Sequence, residues 1–318
     1  MKVLITGITG FVGRSLAKSL ASQEKFTVVG LSRSDTDLPV EYLNIGDLTP
    51  RTNYINLLQG VDVVIHLAAR VHQMLETSKN PLSEFRYVNC ATTLNLAKQA
   101  CSAGVKRFIF LSSIKVSGEF THPNKPFSSN DSIDLNSALI KKKDPYAISK
   151  LECERGLQAI SANSKMGIVI IRPPLIYGKG VKGNFSSLLN LTKLSLPLPF
   201  GGIENKRSFV FVKNLVSLII HAAEHPNANG GVFLVSDDKD ISTSNLIHIL
   251  YTKSGKKAKL FKLPESIFKL LLNLIGKKGL HDRLFKNLQV DISATKEKLG
   301  WTPPYSLEDG IYETIYCD

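Results

Sequence analysis

The first half of the chain alternates two hydrophobic patterns. "KVLIT", "FTVVGLS", "VDVVIHLAA", "RFIFLSS" and "MGIVIIRPP" are short apolar runs, the signature of strands buried on both faces. Between them, "GITGFVGRSLAKSLAS" passes from a glycine turn into a helix. "EFRYVNCATTLNLAKQACSAG" repeats apolar residues at spacings of three and four until a glycine ends it. Another helix, carrying "DPYAISKLECE", precedes "MGIVIIRPP". Strand and helix in strict succession predict a parallel sheet with helices on both faces, a doubly wound α/β (Rossmann) fold.

After Pro173 the pattern changes. "PPLIYGKGVKGNF" is loop-like and "LPLPFGG" punctuates a shorter helix. "RSFVFV" and "GGVFLVS" restore strand signals, and helices lead to the terminal "LGWTPPYSLEDGI". The division this predicts is a Rossmann domain over 1–172 with returning segments near 206–237. A smaller α/β substrate domain takes 173–205 and 238–318. A strand or two would return to the main sheet, and Trp301 would pack in the core.

Composition narrows the partners. The net charge is +13, with lysines gathered in "KKKD", "GKKAK" and "GKKG", which suits nucleic acid, an anionic surface or a polyanionic small substrate. Aromatics are not interleaved with the basic runs and no recognition helix is evident, which argues against nucleic acid. "SIFKLLLNLIGKKG" reads first as a packed helix with lysines at its dipole-favoured end, with transient attachment to a membrane surface as the weaker alternative. No run is long enough to span a bilayer, so stable insertion is not expected. Cys90, Cys101, Cys153 and Cys317 lack metal-ligand or paired spacing, which fits a reduced, cytoplasmic setting without a metal.

The candidate chemistry is concentrated in two places. Gly7, Gly10 and Gly13 in "TGITGFVG" follow the first strand and open the first helix. Glycine there permits a tight turn and the close approach of a pyrophosphate to a helix N-terminus. Tyr146 and Lys150, four residues apart, share a helix face. A free tyrosine has a pKa of about 10, too high for ready proton exchange near neutrality. A lysine cation nearby favours the phenolate and lowers that value.

The glycine triplet, "GD" with Asp47, "HLAA" (66–69), "LSSIKVSG" and "YAISK" occur in order, followed by "RPPLIYG", "RSFVFV" and "LGWTPP". Together these resemble the extended short-chain dehydrogenase/reductase family, which modifies nucleotide-linked sugars. The resemblance implies a catalytic set of Ser113, Tyr146 and Lys150, with Ser112 the less favoured serine and Lys150 also bonding the nicotinamide ribose. It implies a cofactor site at Gly7, Gly10, Phe11, Val12 and Gly13, with Asp47 and Leu48 about the adenine. Leu67, Ala68, Ala69 and Pro173 would lie close to the cofactor, and Asn89 would bond backbone near the site. Arg207 and Arg283 would hold the substrate diphosphate, a task suited to guanidinium forks, while Asn184 and Phe185 would line the sugar pocket.

Three departures from the family pattern matter. Ser117 replaces an aromatic, Leu175 replaces an asparagine, and "LSRSD" stands where NAD-selective relatives carry an acid after the second strand. Arg33, assisted by Ser32, would bind a ribose 2′-phosphate, so NADP(H) is expected in preference to NAD. An exchangeable reduced cofactor suits a 4-keto-sugar reductase forming a UDP-N-acetylquinovosamine-type product. The alternative is a UDP-glucose or UDP-N-acetylglucosamine 4-epimerase, and a third reading is a cofactor-sensing module without turnover. The family also implies a UDP-sugar partner and a homodimer.

Overall fold

The computed structural model describes residues 1–71, 80–137, 144–193, 196–274, 276 and 278–316, without the side chains of Asn184, Lys193 and Lys278. Cys317, Lys277 and the lysine triplet at 141–143 lie outside the described residues.

Strands β1 (Lys2–Thr6), β2 (Thr27–Ser32), β3 (Glu41–Asn44), β4 (Val63–His66), β5 (Arg107–Leu111) and β6 (Gly167–Arg172) build the main sheet in the first half. Strands β7 (Leu175–Tyr177), β8 (Leu198–Gly201), β9 (Phe209–Phe211), β10 (Val232–Leu234) and β11 (Leu260–Lys262) follow. The main sheet is parallel, with the order β10-β6-β5-β4-β1-β2-β3. Successive side chains point to opposite faces. Val3 and Ile5 therefore enter one core with Leu16, Val169 and Leu215, while Leu4 enters another with Leu96, Phe108 and Leu157. Continuous apolar strands follow from burial on both faces.

Strand order reverses between β1, which continues to β2, and β4, which continues to β5. In open α/β sheets the crevice beyond the strand C-termini at such a point receives ligands. Gly7 follows β1, Leu67 follows β4, Ser112 and Ser113 follow β5, and Pro173 follows β6. The topology thus gathers segments distant in sequence along one sheet edge.

The helices are α1 (Phe11–Ala21), α2 (Pro81–Phe85), α3 (Thr92–Ser102), α4 (Pro145–Ala162), α5 (Asn184–Lys193), α6 (Val212–Glu224), α7 (Thr243–Lys253), α8 (Glu265–Leu274), α9 (Lys278–Phe285), α10 (Ser293–Leu299) and α11 (Leu307–Tyr316). A π-helical turn, Arg86–Ala91, joins α2 to α3. Leu198, Phe200, Tyr251, Phe268, Leu272 and Leu284 form a separate small core in the C-terminal part.

Among the described residues one strand, β10 from "GGVFLVS", returns to the main sheet, within the one or two expected; β9, from "RSFVFV", pairs with β7. Strand β3 carries no apolar run, and only tertiary pairing with the edge of β2 makes it a strand. Trp301 packs in the core at 4% exposure, as its sequence setting suggested.

Candidate active site

The glycine turn is built for close approach. Gly7 has φ +72, and a Cβ there would lie 2.7 Å from the Ala68 nitrogen; one on Gly13 would lie 2.2 Å from the Gly7 carbonyl oxygen. Neither collision can be relieved by a side-chain movement, because both partners are backbone. Gly10 caps α1 with no side-chain bond, and the first turn holds no acid. Its free N–H groups and positive dipole end suit a pyrophosphate. Val12 faces the core, so only its backbone is offered, and Phe11 is half-buried. These features fit a dinucleotide. At the adenine end, Leu48 is half-buried against the core and Asp47 is exposed.

The "DPY" motif has a structural cause. Asp144 is the N-cap of α4 and accepts from the Tyr146 N–H at 3.0 Å, with Pro145 in the first turn. Lys115 pairs with Asp144 at 2.6 Å. Tyr146 is thereby fixed at the helix start, its phenol close enough to the Ser113 hydroxyl for that group to favour the phenolate. Burial pushes the phenol above its ordinary pKa, the Asp144 carboxylate adds to this, and the Ser113 bond opposes both. Lys150 is buried, donates from Nζ to the Leu111 carbonyl at 2.8 Å and lies 6.0 Å from the Tyr146 ring centre. Burial lowers its ammonium to about 8. Burial thus opposes the depression of the phenol pKa expected from the Tyr–Lys pairing. Desolvation is the largest influence on both groups, which stand 6.0 Å apart from Lys150 Nζ to the ring centre.

Ser112 and Ser113, adjacent in sequence, part company here. Ser113 caps a short 3₁₀ turn and faces Tyr146. Ser112 is buried and donates to Glu154, which is paired with Arg172 at 2.6 Å. Sequence reading did not single out Glu154 or Arg172, because a buried ion pair leaves no local pattern.

His66 is a second feature found only in three dimensions. The Thr93 hydroxyl donates to the Asn89 carbonyl at 2.8 Å, so it accepts from His66 Nε2 at 2.8 Å. Nδ1 then accepts from the Thr6 hydroxyl at 2.7 Å, and that hydroxyl receives the Ala68 N–H at 3.3 Å. Asn89 binds the backbone of Arg70 through both amide atoms, at 2.7 and 3.0 Å, from inside the π-helical turn. Its expected backbone bonding is thus present, and the network connects that turn to the glycine-facing loop.

Burial, followed by the Lys150 charge, lowers His66 from 6.5 to about 3. A lowered folded-state value means stability is full above about 6.5 and is lost as pH falls toward 3. Between pH 7 and pH 4 this histidine should contribute a loss of about 3 kcal/mol. Urea unfolding of wild type and His66→Gln at both pH values checks this: the wild type should show the steeper decline, and parallel declines would remove His66 as the cause.

The substrate candidates are not gathered equally. Arg207 is half-buried, donates to the Lys286 carbonyl at 3.1 Å and lies close enough to Arg283 for their charges to interact. Burial, and then Arg283, lowers Arg207 to about 10. Two guanidiniums near enough to repel each other are an arrangement that suits a multivalent anion. Phe185 is 1% exposed and stacks on Tyr177 with ring centres 5.0 Å apart. It belongs to the aromatic core rather than a pocket wall, since Tyr177 and Phe209 cover its ring. Asn184 begins α5, and its side chain lies outside the described part. Ser32 donates to the Ser34 carbonyl and accepts from the Ser34 N–H at 3.2 Å, while Arg33 reaches Asp47 at 3.4 Å with both side chains exposed.

A doubly wound sheet, a glycine turn at its switch point, and Ser, Tyr and Lys beside it define an extended short-chain dehydrogenase/reductase. The chain belongs to the NAD-dependent epimerase/dehydratase family, whose sequence profile matches residues 3–236, and it is an enzyme of that family. It is 45% identical over 314 residues to a UDP-glucose 4-epimerase of Vibrio cholerae, covering 98% of this chain and 94% of the relative. It is 26% identical to an N-acetyl-alpha-D-glucosaminyl-diphospho-ditrans,octacis-undecaprenol 4-epimerase of Escherichia coli O157:H7, over 98% of this chain and 94% of that one. The UDP-glucuronic acid 4-epimerase of Bacillus cereus, solved in complex with NAD, has the same fold, with a TM-score of 0.76 at 24% identity over 98% of this chain and 97% of the other.

Proposed function

We propose that this enzyme is an NAD-dependent UDP-sugar 4-epimerase acting on a UDP-hexose or UDP-N-acetylhexosamine. The observation that carries the reading is Tyr146, in reach of Ser113 and one helical turn from Lys150 at the sheet's switch point. Similarity at 45% identity, over 98% of this chain, to a UDP-glucose 4-epimerase supports epimerisation over the single reduction favoured from sequence. In this reading Tyr146 takes and returns the proton on the sugar O4, and Ser113 holds that oxygen. Lys150 orients the cofactor ribose and supplies positive charge to the phenolate. Bound NAD supplies the acceptor for the C4 hydride. Arg207 and Arg283 grip the diphosphate while the 4-keto sugar turns its other face to the site. Residues 173–205 and 238–318 serve as the nucleotide-sugar lobe, and a homodimer belongs to the same proposal.

NAD rather than NADP is the cofactor proposed. The expected 2′-phosphate preference rested on Ser32 and Arg33. Ser32 is now engaged in its own turn, and a phosphate at Arg33 would meet the Asp47 carboxylate. Purified protein should carry NAD and interconvert a UDP-sugar with its C4 epimer without added reductant, as read by NMR of a UDP-sugar panel. A product formed only from a 4-keto sugar plus NADPH, with wild type binding NADPH more tightly than NADH and Arg33→Ala losing that preference, would restore the reductase.

Arg207→Ala should weaken UDP binding about tenfold or more and raise KM with little change in kcat, because the diphosphate does not react. Calorimetry with UDP checks it; equal affinity would make Arg207 a structural residue.

A further inference from the structure

Helix α8 carries an apolar stripe that the fold leaves uncovered. Ile267, Leu270, Leu271 and Leu274 follow the i, i+3, i+4, i+7 spacing that ordinarily marks a buried helix face. Here they are 45%, 59%, 50% and 74% exposed, whereas the buried side of the helix consists of Phe268 and Leu272. Phe261, in the neighbouring strand β11, is 47% exposed as well. The expectation of an ordinary packed helix therefore holds for one side only.

The surroundings have a distinct charge. Residues 251–286 contain ten lysines and arginines against two acids, Glu265 and Asp282. Asp282 is already paired with Lys286 at 2.9 Å, and Glu265 lies 3.0 Å from His281. Lys257, Lys259, Lys262 and Lys269 are exposed. An apolar stripe within a basic field suits an interfacial helix, with leucines among acyl chains and lysines at anionic headgroups. It does not suit self-association, because a two-fold contact through α8 would set two basic segments against each other. Among the described residues, no helix is long and apolar enough to cross a membrane. Attachment here would be peripheral.

We propose that α8, with β11 and its flanking lysines, docks the enzyme on an anionic lipid bilayer. Helix α9, which packs beside α8, carries Arg283, so the attached surface adjoins the proposed diphosphate grip. The docking does not depend on which sugar the enzyme takes.

The test is co-sedimentation of the full-length protein with vesicles of phosphatidylcholine alone or phosphatidylcholine mixed with phosphatidylglycerol. The Leu270→Ser/Leu274→Ser variant changes exposed positions only, so it should fold and retain UDP-sugar turnover in solution. Wild type should partition onto the anionic vesicles and much less onto the neutral ones. The double-leucine variant should lose about tenfold or more in partitioning. Lys257→Gln/Lys259→Gln/Lys262→Gln, or high salt, should also weaken binding. The proposal is overturned by absent binding, equal binding to neutral vesicles, binding that survives loss of both leucines, or binding that survives both the lysine changes and salt. It is equally overturned if the leucine variant instead changes the oligomeric state, since a second copy would then cover the face. Loss of turnover in wild type would bear on the proposed reaction alone.

Discussion

Tyr146→Phe should lower turnover by about a thousandfold or more, while UDP-sugar binding changes little. The ring packs edge-on to Phe85 with centres 6.0 Å apart, and that contact survives the change. What disappears is the hydroxyl facing Ser113, the only group proposed to carry the O4 proton. Both half-reactions need it, so the loss appears in kcat, with folding and binding largely intact. Steady-state rates and UDP-sugar calorimetry on the same preparations decide the point. Turnover within a few-fold of wild type would take Tyr146 out of the mechanism.

Glu154→Ala should produce the largest loss of stability, about 3–5 kcal/mol. The carboxylate is 1% exposed and takes three contacts from the Arg172 guanidinium at 2.6 to 3.2 Å, besides the Ser112 hydroxyl. Removing it strands a buried guanidinium, which would keep its bonds to the Ser129 and Asp131 carbonyls. Typical domains are stable by about 5–15 kcal/mol, so the variant should be near unfolding at growth temperature. Urea denaturation would reveal this, and Glu154→Leu with Arg172→Met should recover much of the loss because no lone charge remains. A Glu154→Ala cost under about 1 kcal/mol would mean that water reaches the pair.

The parallel sheet was legible because its strands are buried on both faces. Such strands must be apolar throughout, and that pattern survives in "KVLIT" and "MGIVIIRPP" without knowledge of any neighbour. Gly7 and Gly13 were legible for a related reason, since their constraint comes from backbone a few residues away or at the next strand end. The Tyr146–Lys150 spacing was local to one helix turn. Strand β3 was not legible, because its pairing with β2 is imposed by the sheet edge and not by its own side chains.

Tertiary structure alone decided which of two adjacent serines faces the tyrosine. Ser112 and Ser113 lie on opposite sides of an extended backbone, so one is drawn to the Glu154–Arg172 pair and the other to the open edge. It also decided that Phe185 belongs to the core, and that Ser32 and Arg33 already have partners. Sequence established which groups the protein owns and their local geometry. Desolvation, ion pairing and exposure depend on what the fold packs around each group, which is why burial rather than the nearby lysine dominates the tyrosine, and why the leucines of α8 remain in view.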